Sequence, residues 1–311
     1  ADAERARREQ LERVLEKARV QLEPLTGRRA GSIVDNQKAL ELAQTLHEVN
    51  IAALGELAVE SQQSAFVLAN ALDRSDRHEE ALAVFQRLLE LAEPEPDRER
   101  DRPFLRMNVG ALMTKIGPTR AAEAVVVLER ALGEYEALPT RNPTECGCLA
   151  YLGKALDDLG RHADARARFE RAIACEERFS RQGTVTYAVQ IGFLADHLRA
   201  AGEFDAARAR YEQALAVLPA RASPGTPEAA TEHRLIADRW RDSWTGEIAW
   251  MSAEAARMAG RAPSDAEWAA FVEVVDRVTS YDASSDRLPR WITARAAREP
   301  AASPARSAGE P

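Results

Sequence analysis

Two cysteines separated by one glycine, Cys146 and Cys148, form the short motif in this chain that is most suggestive of metal or redox chemistry. A zinc site needs two further ligands at suitable spacing, and the third cysteine, Cys175, is isolated in the sequence. We therefore favour small side chains at the start of a helix over a metal or redox role. Three cysteines, an odd number, argue against a disulfide framework and for a reducing compartment.

The other side chains that could do chemistry form no recognisable motif. Acidic pairs such as Asp157 with Asp158 and Glu176 with Glu177 are expected on polar helix faces, whereas catalytic carboxylates need burial and facing partners. Phosphate-binding, nucleophile-elbow and zinc-protease motifs are absent from the sequence. We therefore expect no enzyme activity, no cofactor and no metal. The histidines are scattered, with the second and third in repeat turns: His47, His78, His162, His197 and His233.

The composition restricts the classes of partner. Charged residues make up 30% of the 311 residues and the net charge is −8, which gives no general attraction for nucleic acid or an anionic membrane. No stretch reaches the roughly 18 consecutive apolar residues that a membrane span needs. We expect a cytoplasmic protein, and the excess of Arg over Lys with much Ala suggests a bacterial source. A first residue other than Met indicates processing or excision from a longer chain.

A pattern of small and apolar residues recurs four times, about once every 42 positions. Its alanines at 81, 124, 165 and 207 are 43, 41 and 42 residues apart. A fixed period in this range is typical of one supersecondary unit copied along a solenoid. The copies comprise Leu68, Ala69, Ala81, Phe85 and Leu88; Val109, Gly110, Ala124, Leu128 and Ala131; Leu152, Gly153, Ala165, Phe169 and Ala172; Leu194, Ala195, Ala207, Tyr211 and Ala214.

The third copy shows that the unit is a pair of helices. Leucines at 149, 152, 156 and 159 form the apolar stripe of a helix, and Gly160 ends it. A second stripe follows from Ala165. Gly153 and Ala165 are small where two antiparallel helices must touch, and Phe169 is large where the second helix faces the next pair. Upstream, residues 35–57 are interpreted as the second helix of a degenerate leading repeat, whose first helix is 4–22.

The pattern resembles the tetratricopeptide repeat (TPR), over roughly residues 35–219. The 42-residue spacing resembles the subclass found in kinesin light chains and many bacterial TPR proteins. The resemblance implies an all-α, right-handed solenoid of stacked antiparallel helix pairs, whose first helices line a concave groove for a peptide or helix of a partner protein. The residues that carry it are Leu152, Gly153, Leu156, Gly160, Ala165, Phe169 and Ala172, with their equivalents in the other copies.

The exposed edges of the first helices supply the candidate groove. TPR proteins that clamp a C-terminal carboxylate also place Asn at the positions of Asn70 and Asn108, but they carry Lys or Arg where this chain has Phe66, Gly147 and Tyr151. An internal peptide or a partner helix therefore fits better than a free C-terminus, and ordinary packing between repeats remains the alternative for the apolar members. The candidates are Phe66, Asn70, Arg74, Met107, Asn108, Lys115, Tyr151, Lys154, Phe193, Asp196 and Arg199.

The five tryptophans all follow a Pro/Gly/Ser-rich break at 220–229. They predict either a cap on the last repeat or an exposed aromatic platform, and we favour the cap. The expected organisation is: 1–58, N-terminal helices and leading repeat; 59–219, four helix pairs; 220–229, linker; 230–297, Trp-rich helical cap; 298–311, disordered tail.

Three hypotheses of function remain. The leading one is a non-enzymatic scaffold or adaptor that binds a protein segment in the groove. The second is a regulatory or sensory region of a larger bacterial signalling protein, such as a kinase, a STAND ATPase or a caspase-like protease. The third is a structural protein that forms homo-oligomers through its Trp-rich end or its charged N-terminal helix.

Overall fold

The computed structural model describes residues 33–220, 237, 240–248 and 251, and within these ranges every regular element is helical. The predicted helix at 4–22 and the tail at 298–311 lie outside the described residues. So do Trp250, Trp268 and Trp291. The α-helices of the repeat region are α1 (Ile33–Leu54), α2 (Val59–Arg74), α3 (His78–Ala92), α4 (Arg102–Ile116), α5 (Ala121–Ala137), α6 (Thr144–Asp158), α7 (His162–Arg178), α8 (Val185–Ala200) and α9 (Phe204–Val217).

Helices adjacent in sequence pack against each other throughout this region, as expected for a solenoid of helix pairs. The pairs are α2–α3, α4–α5, α6–α7 and α8–α9. In addition, α4 packs against α6, and α6 packs against α8, so first helices of successive pairs are neighbours. The predicted all-α solenoid is therefore confirmed for the described residues.

The recurring residues form the core of these pairs. The four alanines at 81, 124, 165 and 207 are completely buried, and the large residues that follow them, Phe85, Leu128, Phe169 and Tyr211, are buried as well. Each large side chain lies one helical turn after its alanine, so both face the same side of the second helix. Burial of a small and a large residue at fixed positions explains why the pattern repeats.

The pairs close tightly because small residues lie opposite the large ones. A Cβ added to Gly153 would lie 2.8 Å from Phe169 Cε1 and 3.2 Å from the Ala165 carbonyl oxygen. At the same level of the preceding pair, a Cβ on Gly110 would lie 2.4 Å from Leu128 Cγ. The predicted contact at Gly153 and Ala165 is therefore present. Phe169 fills space within its own pair, and it also contacts His197 of the next pair, with ring centroids 5.8 Å apart.

The tight turns between paired helices use the left-handed backbone conformation. Gly160 has φ +75° and Gly202 has φ +81°. In the first pair Asp76 takes this place with φ 58°, a conformation that Asp tolerates better than most residues. The turn of the second pair is longer and contains a 3₁₀ segment, Pro118–Arg120.

One element boundary differs from the sequence prediction. Helix α1 ends at Leu54 rather than near residue 57, because Gly55 adopts φ +79° there. The connection between α3 and α4 contains a 3₁₀ turn at Pro96–Arg98, and α4 begins at Arg102. Pro103 in the first turn of α4 fits this boundary, since proline is tolerated there.

The expectation of no disulfide is wrong. Cys146, near the start of α6, and Cys175, near the end of α7, form a disulfide with a Cα–Cα distance of 5.4 Å. The helix pair is thus closed by a turn at one end and by a covalent bond at the other. The remaining thiol, Cys148, is buried and donates to the Leu128 carbonyl oxygen at 3.4 Å. Burial, together with the nearby charge of Glu145, raises the pKa of Cys148 to about 12, which makes it unreactive.

The chain divides into two compact units, 1–238 and 239–311. In the second unit, residues 240–248 are helical. The rings of Trp240 and Trp244 stack with centroids 5.3 Å apart, and Trp244 is fully buried. A buried Trp244 cannot belong to an exposed aromatic platform. That this part of the chain caps the repeats stays a prediction.

Replacing Gly153 by Ala is expected to lower the free energy of unfolding by about 1–3 kcal/mol, because the new methyl group would overlap Phe169. Urea unfolding followed by circular dichroism measures the change. Gly133→Ala in α5 is the matched control, since a Cβ there meets nothing within 4 Å. The control should stabilise the protein by about 0.5–1 kcal/mol through helix propensity. Equal effects of the two substitutions would contradict the close approach of α6 and α7.

Breaking the disulfide is expected to lower the free energy of unfolding by about 3–4 kcal/mol, the chain-entropy value for a loop of this length. The variant is Cys175→Ser, compared with wild type by urea unfolding without reductant. Alkylation of the denatured wild-type protein, followed by mass spectrometry, should label one thiol before reduction and three after it. Three labelled thiols before reduction would show that the bond does not form.

Candidate functional site

The predicted groove residues of neighbouring first helices lie next to each other. Phe66 of α2 and Phe104 of α4 have ring centroids 5.8 Å apart, and Tyr151 of α6 and Phe193 of α8 have centroids 6.1 Å apart. These contacts join helices of different pairs. We use the name first-helix face for the surface formed by the eleven predicted groove residues together with Phe104.

A cleft of about 770 Å³ opens beside Phe66 and Phe104, and α2 and α4 contribute much of its lining. Leu57 and Val59 at its edge are 76% and 65% exposed, which is unusual for large apolar side chains. Sequence reasoning missed both residues, because their exposure follows from the turn at Gly55 that precedes them. The cleft is lined by Leu57, Val59, Gln62, Gln63, Phe66, Val67, Leu88, Leu91, Glu95, Arg98, Asp101, Phe104 and Leu105.

Asn70 and Asn108 occupy matching places on their helices and make the same bond. The amide of Asn70 donates to the Phe66 carbonyl oxygen at 2.9 Å, and the amide of Asn108 donates to the Phe104 carbonyl oxygen at 2.8 Å. Both side chains are half-buried. One N–H of each amide is thus used within its own helix. A side-chain amide also has a second N–H and a carbonyl oxygen that can form further hydrogen bonds.

Several charged candidates are bound within the protein. Lys115 donates to both oxygens of Asp73, at 2.6 and 2.8 Å, and so joins α4 to α2. The hydroxyl of Tyr211 donates to Asp196 at 2.5 Å, which joins α9 to α8. Met107 is buried, so it contributes to packing rather than to an accessible surface. Arg74 is exposed, whereas Lys154 and Arg199 are half-buried.

The sequence predicts that Glu176 and Glu177 lie on a polar helix face, and this prediction is wrong for Glu176. Glu176 is buried, accepts a hydrogen bond from Gln190 Nε2 at 2.9 Å, and forms an ion pair with Arg181, whose Nε lies 3.1 Å from the carboxylate. Burial raises the pKa of Glu176 above its ordinary value. The bond from Gln190 joins α7 to α8. Burial also raises the pKa of Asp158, and the charge of Lys154 opposes this.

A second buried carboxylate joins α6 to α7. Glu145 accepts from Arg141 at 2.9 Å and from Arg178, beside the disulfide, and it is 2% exposed. A cavity of about 310 Å³ adjoins this ion pair. Each of these buried acids contacts basic or amide groups of neighbouring helices, which is the arrangement of a structural ion pair.

The histidines are less scattered than the sequence indicated. His162 and His197 both lie against Asp157, although 35 residues separate the two histidines in the chain. The signal that would have found this group is the repeat register, which places the end of α6, the start of α7 and the end of α8 side by side.

Comparison with family models matches the tetratricopeptide repeat at residues 64–99 and 190–224. These ranges contain most of α2 with α3, and most of α8 with α9. The chain carries tetratricopeptide repeats at these two positions. Between the two matches, α4–α5 and α6–α7 bury the same pattern of alanine and large residue. TPR arrays are protein-interaction scaffolds, and the comparisons indicate no catalytic family.

Several solved structures are similar to this chain at low sequence identity. BtubC from P. vanneervenii is 16% identical, covers 90% of this chain and 96% of its own, and has a TM-score of 0.50. A Podosopora anserina protein with nearly identical TPR-like repeats of the kinesin light chain kind is 18% identical, covers 67% and 94%, and has a TM-score of 0.48. PilF from Pseudomonas aeruginosa is 12% identical, covers 94% and 100%, and has a TM-score of 0.45. A search of curated proteins found no match.

The first-helix face of this TPR protein is more apolar than a carboxylate clamp. Phe66 packs edge-on against Phe85 of its own pair, with centroids 5.7 Å apart, and Tyr151 packs against Phe193. A Cβ on Gly147 would lie 3.6 Å from Met107 Sδ, so this position is filled by the neighbouring methionine. Aromatic rings and a thioether therefore occupy the places where the clamp has cations.

Among the helices that the structure describes, none combines the length and the apolar character that a membrane-spanning helix needs.

Asp196→Asn is expected to raise the free energy of unfolding near neutral pH. Burial raises the pKa of Asp196, against the bond from Tyr211 and the charges of Arg199 and Lys154. An acid with a raised folded-state pKa contributes stability that is present below its unfolded-state pKa and lost as the pH rises through the folded-state value. The gain in the variant should therefore be small near about pH 4 and larger near about pH 7. Urea unfolding at both pH values measures it.

The control for Asp196 is Glu80→Gln. The hydrogen bond from Arg77 lowers the pKa of Glu80, so this substitution should act in the opposite direction as the pH rises. A difference between Asp196→Asn and wild type that does not change with pH would contradict the argument from burial.

Proposed function

We propose that this protein is a non-enzymatic scaffold that binds a peptide or helix of a partner protein on the first-helix face. The observation that carries the proposal is the cleft between α2 and α4, with Leu57 and Val59 exposed at its edge. Monomeric proteins rarely leave clustered apolar side chains in water, and such clusters are typical of interaction sites. The aromatic rings of Phe66 and Phe104 line this cleft, and buried aromatic side chains commonly contribute most of the binding energy of an interface.

The chemistry of the cleft favours an amphipathic ligand. Most of its lining is aromatic and aliphatic, and the polar lining residues are Gln62, Gln63, Glu95, Arg98 and Asp101. A partner segment would place two or three apolar side chains in the cleft and keep its polar side toward the border, as helices do in hydrophobic grooves. Further along the face, Asn70 and Asn108 supply amide groups that bond a peptide backbone whatever its sequence.

The narrower assignments remain proposals. First helices of successive pairs begin at Val59, Arg102, Thr144 and Val185, and this spacing supports the kinesin-light-chain-like subclass with a period near 42. A bacterial source, a role as the regulatory region of a larger signalling protein, and self-association also stay predictions. The full reading frame tests the second of these, and sedimentation at high concentration tests the third.

A cytoplasmic location also stays a prediction, and the disulfide weakens its basis. An odd number of cysteines indicates a reducing compartment only when the thiols are free, whereas two of the three cysteines are paired. Stable disulfides are typical of oxidising compartments.

Val59→Asp is expected to weaken partner binding at least about tenfold, because the bound segment would cover the edge of the cleft and desolvate the new charge there. The substitution should not unfold the protein, since Val59 is exposed and begins α2, where an acidic residue is favourable. Val126→Asp is the matched control: Val126 is 67% exposed on α5, away from the cleft. The probe is a peptide selected from a displayed library on the wild-type protein, and fluorescence anisotropy measures its affinity.

A double variant, Asn70→Ala with Asn108→Ala, extends the test along the face and should also weaken binding of the selected peptide. If Val59→Asp and Val126→Asp bind the peptide equally well, the cleft is not the site. If selection yields no peptide, or if both the cleft and the asparagine variants bind like wild type, the proposed function is contradicted.

A further inference from the structure

Three metal-ligating side chains meet where the third and fourth helix pairs touch. His162 Nδ1 lies 2.7 Å from Asp157 Oδ1, and His197 Nδ1 lies 2.9 Å from the same oxygen. The three potential ligand atoms all lie within 4.8 Å of one another. Two imidazoles therefore share one carboxylate oxygen, and each side chain comes from a different helix.

The turn after α6 brings the first two groups together. Asp157 is the penultimate residue of α6, Gly160 reverses the chain with φ +75°, and His162 begins α7. The Arg161 N–H donates to the Leu156 carbonyl oxygen at 2.9 Å and holds this turn closed. His197 comes from α8, where it is buried and packs against the ring of Phe169. The group thus rests on rigid helix ends.

The first pair provides an internal comparison. Asp73 and His78 lie 84 residues before Asp157 and His162, and their side chains contact each other at 3.0 Å. There the next first helix supplies Lys115, whose ammonium group lies 2.6 Å from Asp73. That carboxylate is neutralised by a permanent cation. At Asp157 the next first helix supplies the imidazole of His197, a side chain that can ligate a metal ion.

We propose that Asp157, His162 and His197 bind a divalent transition metal ion of the zinc class. Two imidazoles and one carboxylate are ligand types that zinc uses with three protein ligands and one open position. Ligand atoms around tetrahedral zinc lie about 3.3 Å apart, so the group needs to rearrange by less than about 1–2 Å. His162, whose side chain is 67% exposed, can make this movement, while His197 and Asp157 are held by their helices.

Binding replaces the two hydrogen bonds with metal–ligand bonds. A neutral imidazole that donates from Nδ1 must move its proton to Nε2 before Nδ1 can bind the metal. The carboxylate accepts the cation in place of the two N–H groups. The fourth coordination position lies open at the exposed side of His162, for water or for a side chain of a partner. The metal would join α6, α7 and α8 across two repeats.

Cobalt(II) and zinc(II) are the probes for the test. Co²⁺ is added to the full-length protein, with any affinity tag removed and no chelating reductant present, and visible absorption is recorded. We expect a tetrahedral-type Co²⁺ band with one equivalent bound, which one equivalent of Zn²⁺ abolishes. Zn²⁺ should also raise the unfolding temperature of the wild-type protein as its concentration increases.

His162→Ala and Asp157→Asn are the test variants. His162 is exposed, so its removal should leave the fold intact. The amide introduced by Asp157→Asn still accepts a hydrogen bond, while it binds metal poorly. Each variant should bind Zn²⁺ about 100-fold more weakly or not at all by calorimetry. His47→Ala is the control, since His47 lies away from this group and bonds Ser64, and its affinity should not change.

Two outcomes would overturn the proposal. One is the absence of the cobalt band and of any zinc-dependent change in unfolding temperature. The other is metal binding that His162→Ala and Asp157→Asn leave unchanged, which would place the ion elsewhere on the protein. The proposed peptide binding does not depend on either result, because the cleft at Phe66 belongs to the other end of the array.

Discussion

The close approach of the two helices in each pair is the constraint on which the rest of this structure depends. Gly153 admits the ring of Phe169, and Gly110 admits the side chain of Leu128, at distances where a methyl group would overlap. This contact sets how far each second helix lies from its first helix. Because successive pairs stack on one another, it also sets which residues of neighbouring first helices become adjacent, and so creates the first-helix face.

Buried polar contacts fix the register between one pair and the next. Arg106 is 2% exposed and binds Glu93 before α4 and Glu134 on α5. Glu176 and Gln190 join α7 to α8. Such groups contribute little net stability, because the cost of removing them from water offsets most of the attraction between them. A shift of register would nevertheless leave each of them buried and unpaired. Apolar packing alone would tolerate such a shift more readily, since alanine-rich surfaces are similar from one turn to the next.

The architecture was predictable from the sequence because it depends on a repeated local pattern. The buried alanines, the large residue one turn later and the glycine turns each report on a single helix or hairpin, and four copies reinforce one another. The first turn was still predictable although Asp76 stands where the third and fourth pairs have glycine. Helical periodicity determines which side of a helix a residue faces, and the candidates Tyr151 and Phe193 lie against each other. Their role in binding stays a prediction.

Features that depend on distance across the chain were not predictable. The count of cysteines cannot show that residue 146 lies beside residue 175, since the opposed helix ends must first be placed. The meeting of Asp157 with His162 and His197 needs both the turn geometry and the stacking of the next pair. The burial of Glu176 has the same cause. Leu57 and Val59 were missed because their exposure follows from the end of α1 at Leu54, which only the backbone shows.

The position of the disulfide has a mechanical consequence. Repeat arrays open by successive detachment of terminal units, since each unit contacts only its neighbours. The pair α6–α7 is a covalent ring, closed at the end opposite its turn by Cys146 and Cys175, which are 29 positions apart in the sequence. A pulling force applied through the two ends of the array can extend the other hairpins fully, but it is carried across this one by the sulfur–sulfur bond. The third pair is thus a fixed link near the middle of an otherwise extensible chain.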